Sequence, residues 1–166
     1  VKNAALALEV LFYLRMRKGV RISDEAMVRG MKKAAWKGRF EVMRENPLVI
    51  IDGAHNNDGI QAFVDAAKQF KDIKVIFTAL KDKSTHEMMT LLLTLTDDFV
   101  VTEFEFYRSQ TAERLAEDFP VQVDEDWQHA VDEGLNHQGT LLITGSLYFI
   151  TRVRKYLLEK GESTGS

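Results

Sequence analysis

From residue 48 onward, short runs of consecutive apolar residues alternate with longer stretches in which apolar residues recur every three or four positions. Leu48-Val49-Ile50-Ile51 is apolar throughout and stops abruptly at Asp52-Gly53. A run without alternation is apolar on both faces, which fits a strand buried between layers of helices. Ile60, Phe63, Val64, Ala67 and Phe70 then fall on one stripe of a helix predicted over 58–70. The alternation continues with a strand over 74–79, a Met- and Leu-rich helix over 86–95, a strand over 99–102 and a helix over 111–117. After Pro120 come a short strand at 121–123 and a helix over 124–135, with Trp127, Ala130, Val131 and Leu135 on one face. A strand at 140–144 and a last helix at 147–160 complete the series. Upstream, Phe40 and Val42 alternate with Glu41 in a strand over 40–44, and Arg44-Glu45-Asn46-Pro47 reads as a turn. Strands alternating with helices predict an α/β fold, Rossmann-like, whose mostly parallel sheet has helices on both faces. The 40–44 strand, joined by a tight turn, should lie antiparallel at or near an edge.

The first residues follow a different pattern. Residues 3–17 are rich in Ala and Leu, and Ala7, Val10, Leu11 and Leu14 fall on one helical face, with Asn3 placed to cap the N-terminus. Gly19 stops this helix, and Ser23 caps a second over 24–31 with two acids in its first turn. Residues 32–37 form a basic connector. The expected organisation is a helix at 1–18 from a neighbouring domain, an α/β domain at 19–160 and a tail at 161–166. A start inside a helix suggests a piece of something longer.

Composition changes the picture little. The 166 residues are 45% hydrophobic and 28% charged, ordinary for a globular protein with a sizeable core. A net charge of −3 implies no nucleic-acid partner, but residues 1–50 carry +6 and the remainder −9. The basic first third either faces a phosphate-bearing ligand or is a solvated set of lysines and arginines. The absence of cysteine removes disulfides, thiolate zinc sites and a cysteine nucleophile, and it fits a reducing compartment such as the cytoplasm. With no 18-residue apolar run and no signal peptide, no membrane association is expected.

Three polar loops leave predicted strand ends: Asp52-Gly53-Ala54-His55-Asn56, Lys81-Asp82-Lys83-Ser84 and Thr144-Gly145-Ser146. In a doubly wound sheet they share one rim, where ligands bind. Glycine at 53 and 145 permits tight turns and close approach of backbone N–H groups. Helices that begin just after 56 and 146 turn their positive ends toward the same rim. Any one of these loops is equally an ordinary turn with a helix cap. Arg39 either grips a phosphate with its planar fork or is a surface arginine. Asp52 accepts from ribose hydroxyls, ligates a metal or caps the following helix; Asp52-x-x-His55 offers two metal ligands without a third. His86, His129 and His137 read as helix-surface residues, and Trp36 and Trp127 as packing. A G-x-x-x-x-G-K-[ST] phosphate loop, a G-x-G-x-x-G fingerprint and a serine nucleophile elbow are all missing. The chain lacks a self-sufficient apparatus for nucleotide hydrolysis.

Taken together, Gly38-Arg39-Phe40-Glu41, Asp52-Gly53-Ala54-His55-Asn56, Leu80-Lys81-Asp82-Lys83 and Thr144-Gly145-Ser146-Leu147-Tyr148 resemble the folylpolyglutamate synthase/dihydrofolate synthase family. That family lies within the Mur ligase superfamily of ATP-dependent amide-forming ligases. The resemblance covers 38–154 in order, and Asn3-Ala4-Ala5-Leu6-Ala7-Leu8 resembles the helix that closes the family's ATPase domain. Lys37, Asn57 and Ser84 stand where the family often has Pro, Pro and an acid.

The resemblance implies the C-terminal domain of a cytoplasmic, monomeric ligase that adds L-glutamate to dihydropteroate or a folate through an acyl phosphate. It implies ATP and magnesium as cofactors. Its partner would be its own N-terminal ATPase domain, which carries the phosphate loop, the magnesium ligands and most of the folate site, so that these residues alone would be inactive. Asn3, Arg39 and Asp52 would contact ATP, Arg39 through phosphate and Asp52 through ribose or base. His55 and Ser146 would hold the glutamate, and no catalytic residue, metal ligand or role for Lys81-Asp82-Lys83 is implied. Two other readings stay open: a free-standing nucleotide- or amino-acid-binding module, and a metal-dependent hydrolase built on Asp52, His55 and Asp82.

Overall fold

Gly19 and Ser23 divide the first residues into two helices, α1 (Lys2–Lys18) and α2 (Asp24–Lys33). The computed structural model describes residues 2–33 and 36–163, without the side chains of Lys2, Asn3, Lys32, Glu162 and Ser163, and divides into two compact units, 1–36 and 37–166. Within the first unit the Ser23 hydroxyl accepts the Ala26 N–H at 3.1 Å, as expected of an N-cap, and Arg15 pairs with Asp24 across the turn. Ala4, Leu8, Leu11 and Leu14 are half-buried, whereas Ala7 and Val10 of the predicted face are exposed. Trp36, expected to pack, is 80% exposed. Cap formation by Asn3 falls on a side chain outside the described residues.

The second unit holds the alternating elements: β1 (Glu41–Glu45), β2 (Leu48–Asp52), α3 (Asn57–Ala67), β3 (Ile73–Phe77), α4 (Thr85–Leu92), β4 (Phe99–Glu103), α5 (Ala112–Ala116), β5 (Gln122–Asp126), α6 (Trp127–Leu135), β6 (Thr140–Thr144) and α7 (Leu147–Ser163). The strands form one sheet in the order β1-β2-β6-β3-β4-β5; β1 pairs antiparallel with β2 at the edge, and every other pair is parallel. Successive residues of a strand point to opposite faces, so the continuous apolar runs feed two cores. Ile50, Val75, Phe77, Val101 and Leu142 pack under Ile60, Phe63, Met88, Leu92 and Leu115 of α3, α4 and α5. Val49, Ile51, Ile76, Leu141 and Ile143 pack under Trp127, Val131, Phe149, Ile150 and Val153 of α6 and α7.

One boundary departs from expectation. Asp124-Glu125-Asp126, predicted to open α6, completes β5 instead, and Asp126 caps the helix by accepting the Gln128 and His129 N–H groups. β5 is an edge strand, half open to solvent, where charged residues cost little and discourage pairing with another chain.

What positions the site is the place of β6. Although last in sequence it lies between β2 and β3, so the loops that follow these three strands converge where strand order reverses. Open α/β sheets form ligand crevices at such a switch point. Among the described residues no helix is long and apolar enough to cross a membrane.

Candidate functional site

The loop after β2 satisfies itself. The half-buried Asp52 carboxylate accepts the Phe40 N–H through Oδ2 and the Ala54 N–H through Oδ1, each at 2.7 Å. Burial pushes Asp52 above the usual carboxylate range; the two backbone hydrogen bonds and the nearby charges of Arg39 and His55 pull it back. The bond to Phe40 holds a residue whose φ of +45° is costly for a side chain bearing a Cβ, while its ring packs on Phe63 and Phe70. The Gly38 N–H donates to Glu41 Oε2 at 2.6 Å, the Gly53 N–H donates to the Gly38 carbonyl at 2.7 Å, and Arg154 Nε reaches Glu41 at 3.0 Å. Asn56 caps α3 by accepting the Gly59 N–H at 2.8 Å. Asp52 thus neither caps α3 nor converges with two other metal-binding side chains. It pins the corner from which Arg39 projects.

His55, in the same loop, donates Nδ1–H to the Gly53 carbonyl at 2.7 Å. A carbonyl can only accept, so the proton lies on Nδ1 and Nε2 is the nitrogen left for a ligand.

The loop after β6 is built differently. Gly145 has φ +115°, and a Cβ there would overlap the Thr78 carbonyl oxygen. Ser146, 1% exposed, begins α7; its carbonyl accepts the Ile150 N–H at 2.9 Å, but its hydroxyl has no hydrogen-bond partner, nor do those of Thr144 and Thr78 beside it. Leaving a buried hydroxyl unpaired costs free energy. This one lies at the positive end of a 17-residue helix.

Ser146 and His55 line one cleft of about 430 Å³, together with Leu80, Lys83, Arg108, Leu147, Tyr148 and Thr151. A second cleft of about 370 Å³ shares His55 and Lys83 with it and adds Asn56, Asn57, Asp58, Asp82 and Ser84. The structure therefore brings together the two residues expected to face glutamate. Arg39 and Asp52 line neither of these two clefts and lie at the corner beside β1. Arg39 is exposed and makes no hydrogen bond or ion pair among the described residues. The side chain of Asn3 is outside the described residues, and nothing relates its unit to this corner.

Asp82 shares a cleft with His55, but Asp52, His55 and Asp82 do not come together as the metal-binding group that the hydrolase reading requires. Asp82 pairs with Arg108 Nη2 at 2.8 Å and Lys83 Nζ at 3.4 Å, and Arg108 holds it below the usual carboxylate range. Among the described residues no three of His, Cys, Asp and Glu are grouped to hold a metal. His137 is no helix-surface residue: it follows α6 and donates Nε2–H to the Asp72 carbonyl at 2.6 Å. Arg108 was not anticipated. It lies on the loop after β4, which the strand alternation places on the same rim, and it is the one cation between Thr102 and Thr111.

Residues 38–147 match the family model described as Mur ligase, glutamate ligase domain. The chain belongs to that family. It is 37% identical over 166 residues to the dihydrofolate synthase/folylpolyglutamate synthase of Bacillus subtilis, covering 94% of this chain and 38% of that protein. To the Escherichia coli protein of the same description it is 27% identical, covering 93% and 37%. Among solved structures it resembles the bifunctional folylpolyglutamate synthase/dihydrofolate synthase of Yersinia pestis, with a TM-score of 0.85 and 29% identity over 93% of this chain and 38% of that one. A structure of that description with Mn, AMPPNP and L-glutamate bound matches at a TM-score of 0.81 and 29% identity, over 93% and 39%. The chain thus spans less than half the length of these relatives.

Proposed function

We propose that this chain is the C-terminal domain of an ATP-dependent ligase that joins L-glutamate to dihydropteroate or a folate. The observation that carries this reading is the Ser146 hydroxyl: buried, unpartnered, lining a cleft at the positive end of α7, opposite a histidine with one ring nitrogen to spare. Family membership and relatives whose descriptions name folylpolyglutamate and dihydrofolate synthesis support it. In the reaction, a carboxylate oxygen of the acceptor attacks the γ-phosphorus of ATP and ADP leaves. The glutamate amine then attacks the carbonyl carbon of the acyl phosphate, inorganic phosphate leaves, and the amine loses a proton.

This chain supplies the glutamate side. The start of α7 and Ser146 receive a carboxylate, and His55 Nε2 takes a second contact. Arg39, free of partners on its pinned corner, meets a phosphate of ATP, and Asp52 accepts from the ribose or base with the lone pairs its backbone donors leave. Magnesium, when bound, offsets phosphate charge. Its ligands belong to an N-terminal ATPase domain of which residues 1–18, including Asn3, form the closing helix; residues 19–160 are the α/β domain and 161–166 a tail. The intact enzyme is a cytoplasmic monomer.

The test is incorporation of labelled L-glutamate by a protein carrying this chain at its relatives' length, with dihydropteroate or a folate, ATP and magnesium. Incorporation should require all three, and the 166-residue chain alone should release no ADP above background. Ligation of a different amino acid in preference to glutamate, or turnover by the chain alone, would overturn the reading.

A further inference from the structure

One wall of the cleft has no task in that reading. Tyr148, in the first turn of α7, lines the cleft and is 56% exposed. It is the outermost ring of a stack. The buried Phe104 ring, just beyond β4, lies 5.7 Å from that of Phe106 with an interplanar angle of 8°, and Phe106 lies 4.8 Å from Tyr148 at 24°. The inner end of the stack is anchored. Phe104 packs on Phe149 at 5.5 Å, and Arg152 lies over the Phe104 ring while donating to the Glu105 carbonyl at 2.8 Å. Tyr107 meets Phe106 tilted, at 4.8 Å and 53°, and lies outside the walls of the cleft. A ring has two faces, and Phe106 covers one of Tyr148. The Tyr148 hydroxyl makes no hydrogen bond among the described residues. What Tyr148 offers the cleft is therefore an apolar plane held in a fixed orientation, with surface that gains by leaving water.

We propose that Tyr148 is a stacking platform for the aromatic ring of an acceptor whose reacting carboxylate is attached directly to that ring, as in dihydropteroate. This rests on the reading of the cleft as the place where glutamate is held, and adds which kind of acceptor this domain favours. With its carboxylate on Ser146, the glutamate keeps its amine close to the first turn of α7. The carbon that the amine attacks is bonded to the aryl ring in dihydropteroate, so the ring lies next to the reacting atoms and against the same wall. Flat rings pair in offset stacks with centroids about 4.5–7 Å apart, and the acceptor extends the series Phe104–Phe106–Tyr148 by one ring. In a folate that already carries a glutamyl residue, the reacting carboxylate ends an aliphatic chain. Its aryl ring lies a whole residue away from the amine and does not meet Tyr148.

The experiment compares kcat/KM for dihydropteroate and for tetrahydrofolate in the longer protein, as wild type, Tyr148→Ala, Tyr148→Phe and Tyr107→Ala, beside the KM for L-glutamate. Tyr148→Ala should lower kcat/KM for dihydropteroate about three- to tenfold and leave that for tetrahydrofolate and the glutamate KM nearly unchanged. Tyr148→Phe keeps the ring and loses only an unbonded hydroxyl, so it should match the wild type. Tyr107→Ala takes an exposed ring from the same stack without touching the cleft wall, and should preserve the ratio of the two acceptors. Equal losses for both acceptors in Tyr148→Ala would show that Tyr148 only covers Phe106, and the proposal would fall alone. A raised glutamate KM with the acceptor ratio unchanged would overturn it too, as would a wild type that uses tetrahydrofolate and not dihydropteroate. If the wild type adds glutamate to neither acceptor, the reading of the cleft fails and takes this inference with it.

Discussion

The loops after β2 and β6 leave neighbouring parallel strands, each through a glycine, and each opens a helix. Their hydrogen bonding differs completely. In the first, every polar side chain that sequence alone would offer to a ligand already serves the protein: Asp52 holds Phe40 and Ala54, Asn56 caps α3, and His55 spends one nitrogen on Gly53. In the second, Thr144 and Ser146 are buried with unpartnered hydroxyls. One loop is largely scaffold, leaving His55 Nε2 and the remaining lone pairs of Asp52; the other holds buried hydroxyls without a partner among the described residues. A polar loop at a strand end is thus no site by composition alone. Of the buried hydroxyls unpartnered among the described residues, those of Thr78, Thr102, Thr144 and Ser146, only that of Ser146 belongs to a residue lining either cleft.

Substitutions can break this contrast, the most severe first. Gly145→Ala forces a Cβ into the Thr78 carbonyl and a side chain into φ +115°. The Thr78 oxygen is backbone and the next atoms met, at 2.7 and 2.8 Å, belong to the fully buried Phe77 ring, so urea denaturation should show a loss of about 3–5 kcal/mol, the upper end for one substitution. At Gly53 the nearest contact of an added Cβ is the Leu147 side-chain tip at 2.7 Å, which is 42% exposed and can turn aside. Gly53→Ala should cost less than Gly145→Ala by the same measurement.

Asp52→Asn keeps the shape but sets an NH₂ group against a backbone donor. A loss of about 1–3 kcal/mol at neutral pH is expected. Its pH dependence has a definite sign. Burial raises the native Asp52 above its ordinary value of 3.8, so between that value and the native one the folded state binds more protons than the unfolded chain. The contribution of Asp52 to stability therefore falls as pH rises through that window and is greatest below it. Denaturation midpoints across the acid range should show this slope in the wild type and not in Asp52→Asn. Asn56→Ala removes an N-cap and should cost about 1 kcal/mol. The smallest effect belongs to Ser146→Ala, which breaks no hydrogen bond and should leave stability within about 0.5 kcal/mol. A loss there as large as that of Asn56→Ala would erase the contrast between the loops.

The architecture was legible because burial on both faces makes a parallel strand apolar throughout, as in Leu48–Ile51 and Leu141–Ile143, and because glycine and proline punctuate what lies between. That His55 and Ser146 meet at one cleft was legible for the same reason: strand alternation puts both on one rim. Three things were not. The edge strand β5 carries Asp124-Glu125-Asp126 and resembles a helix start, since solvent on one side relaxes the demand for apolar residues. The duty of Asp52 depends on Phe40, twelve residues earlier and brought within 2.7 Å only by the β1–β2 pairing. Arg108 enters the cleft through the antiparallel bridge between Leu80 and Ser109, a tertiary pairing that no local pattern announces.

The central claim is that the buried Ser146 hydroxyl is kept for a glutamate carboxylate. The most direct measurement is the KM for L-glutamate, beside that for ATP, of Ser146→Ala in the longer protein, with its thermal midpoint recorded. The account predicts a glutamate KM raised about tenfold or more, an ATP KM nearly unchanged and a midpoint equal to that of the wild type. A glutamate KM equal to that of the wild type would contradict it.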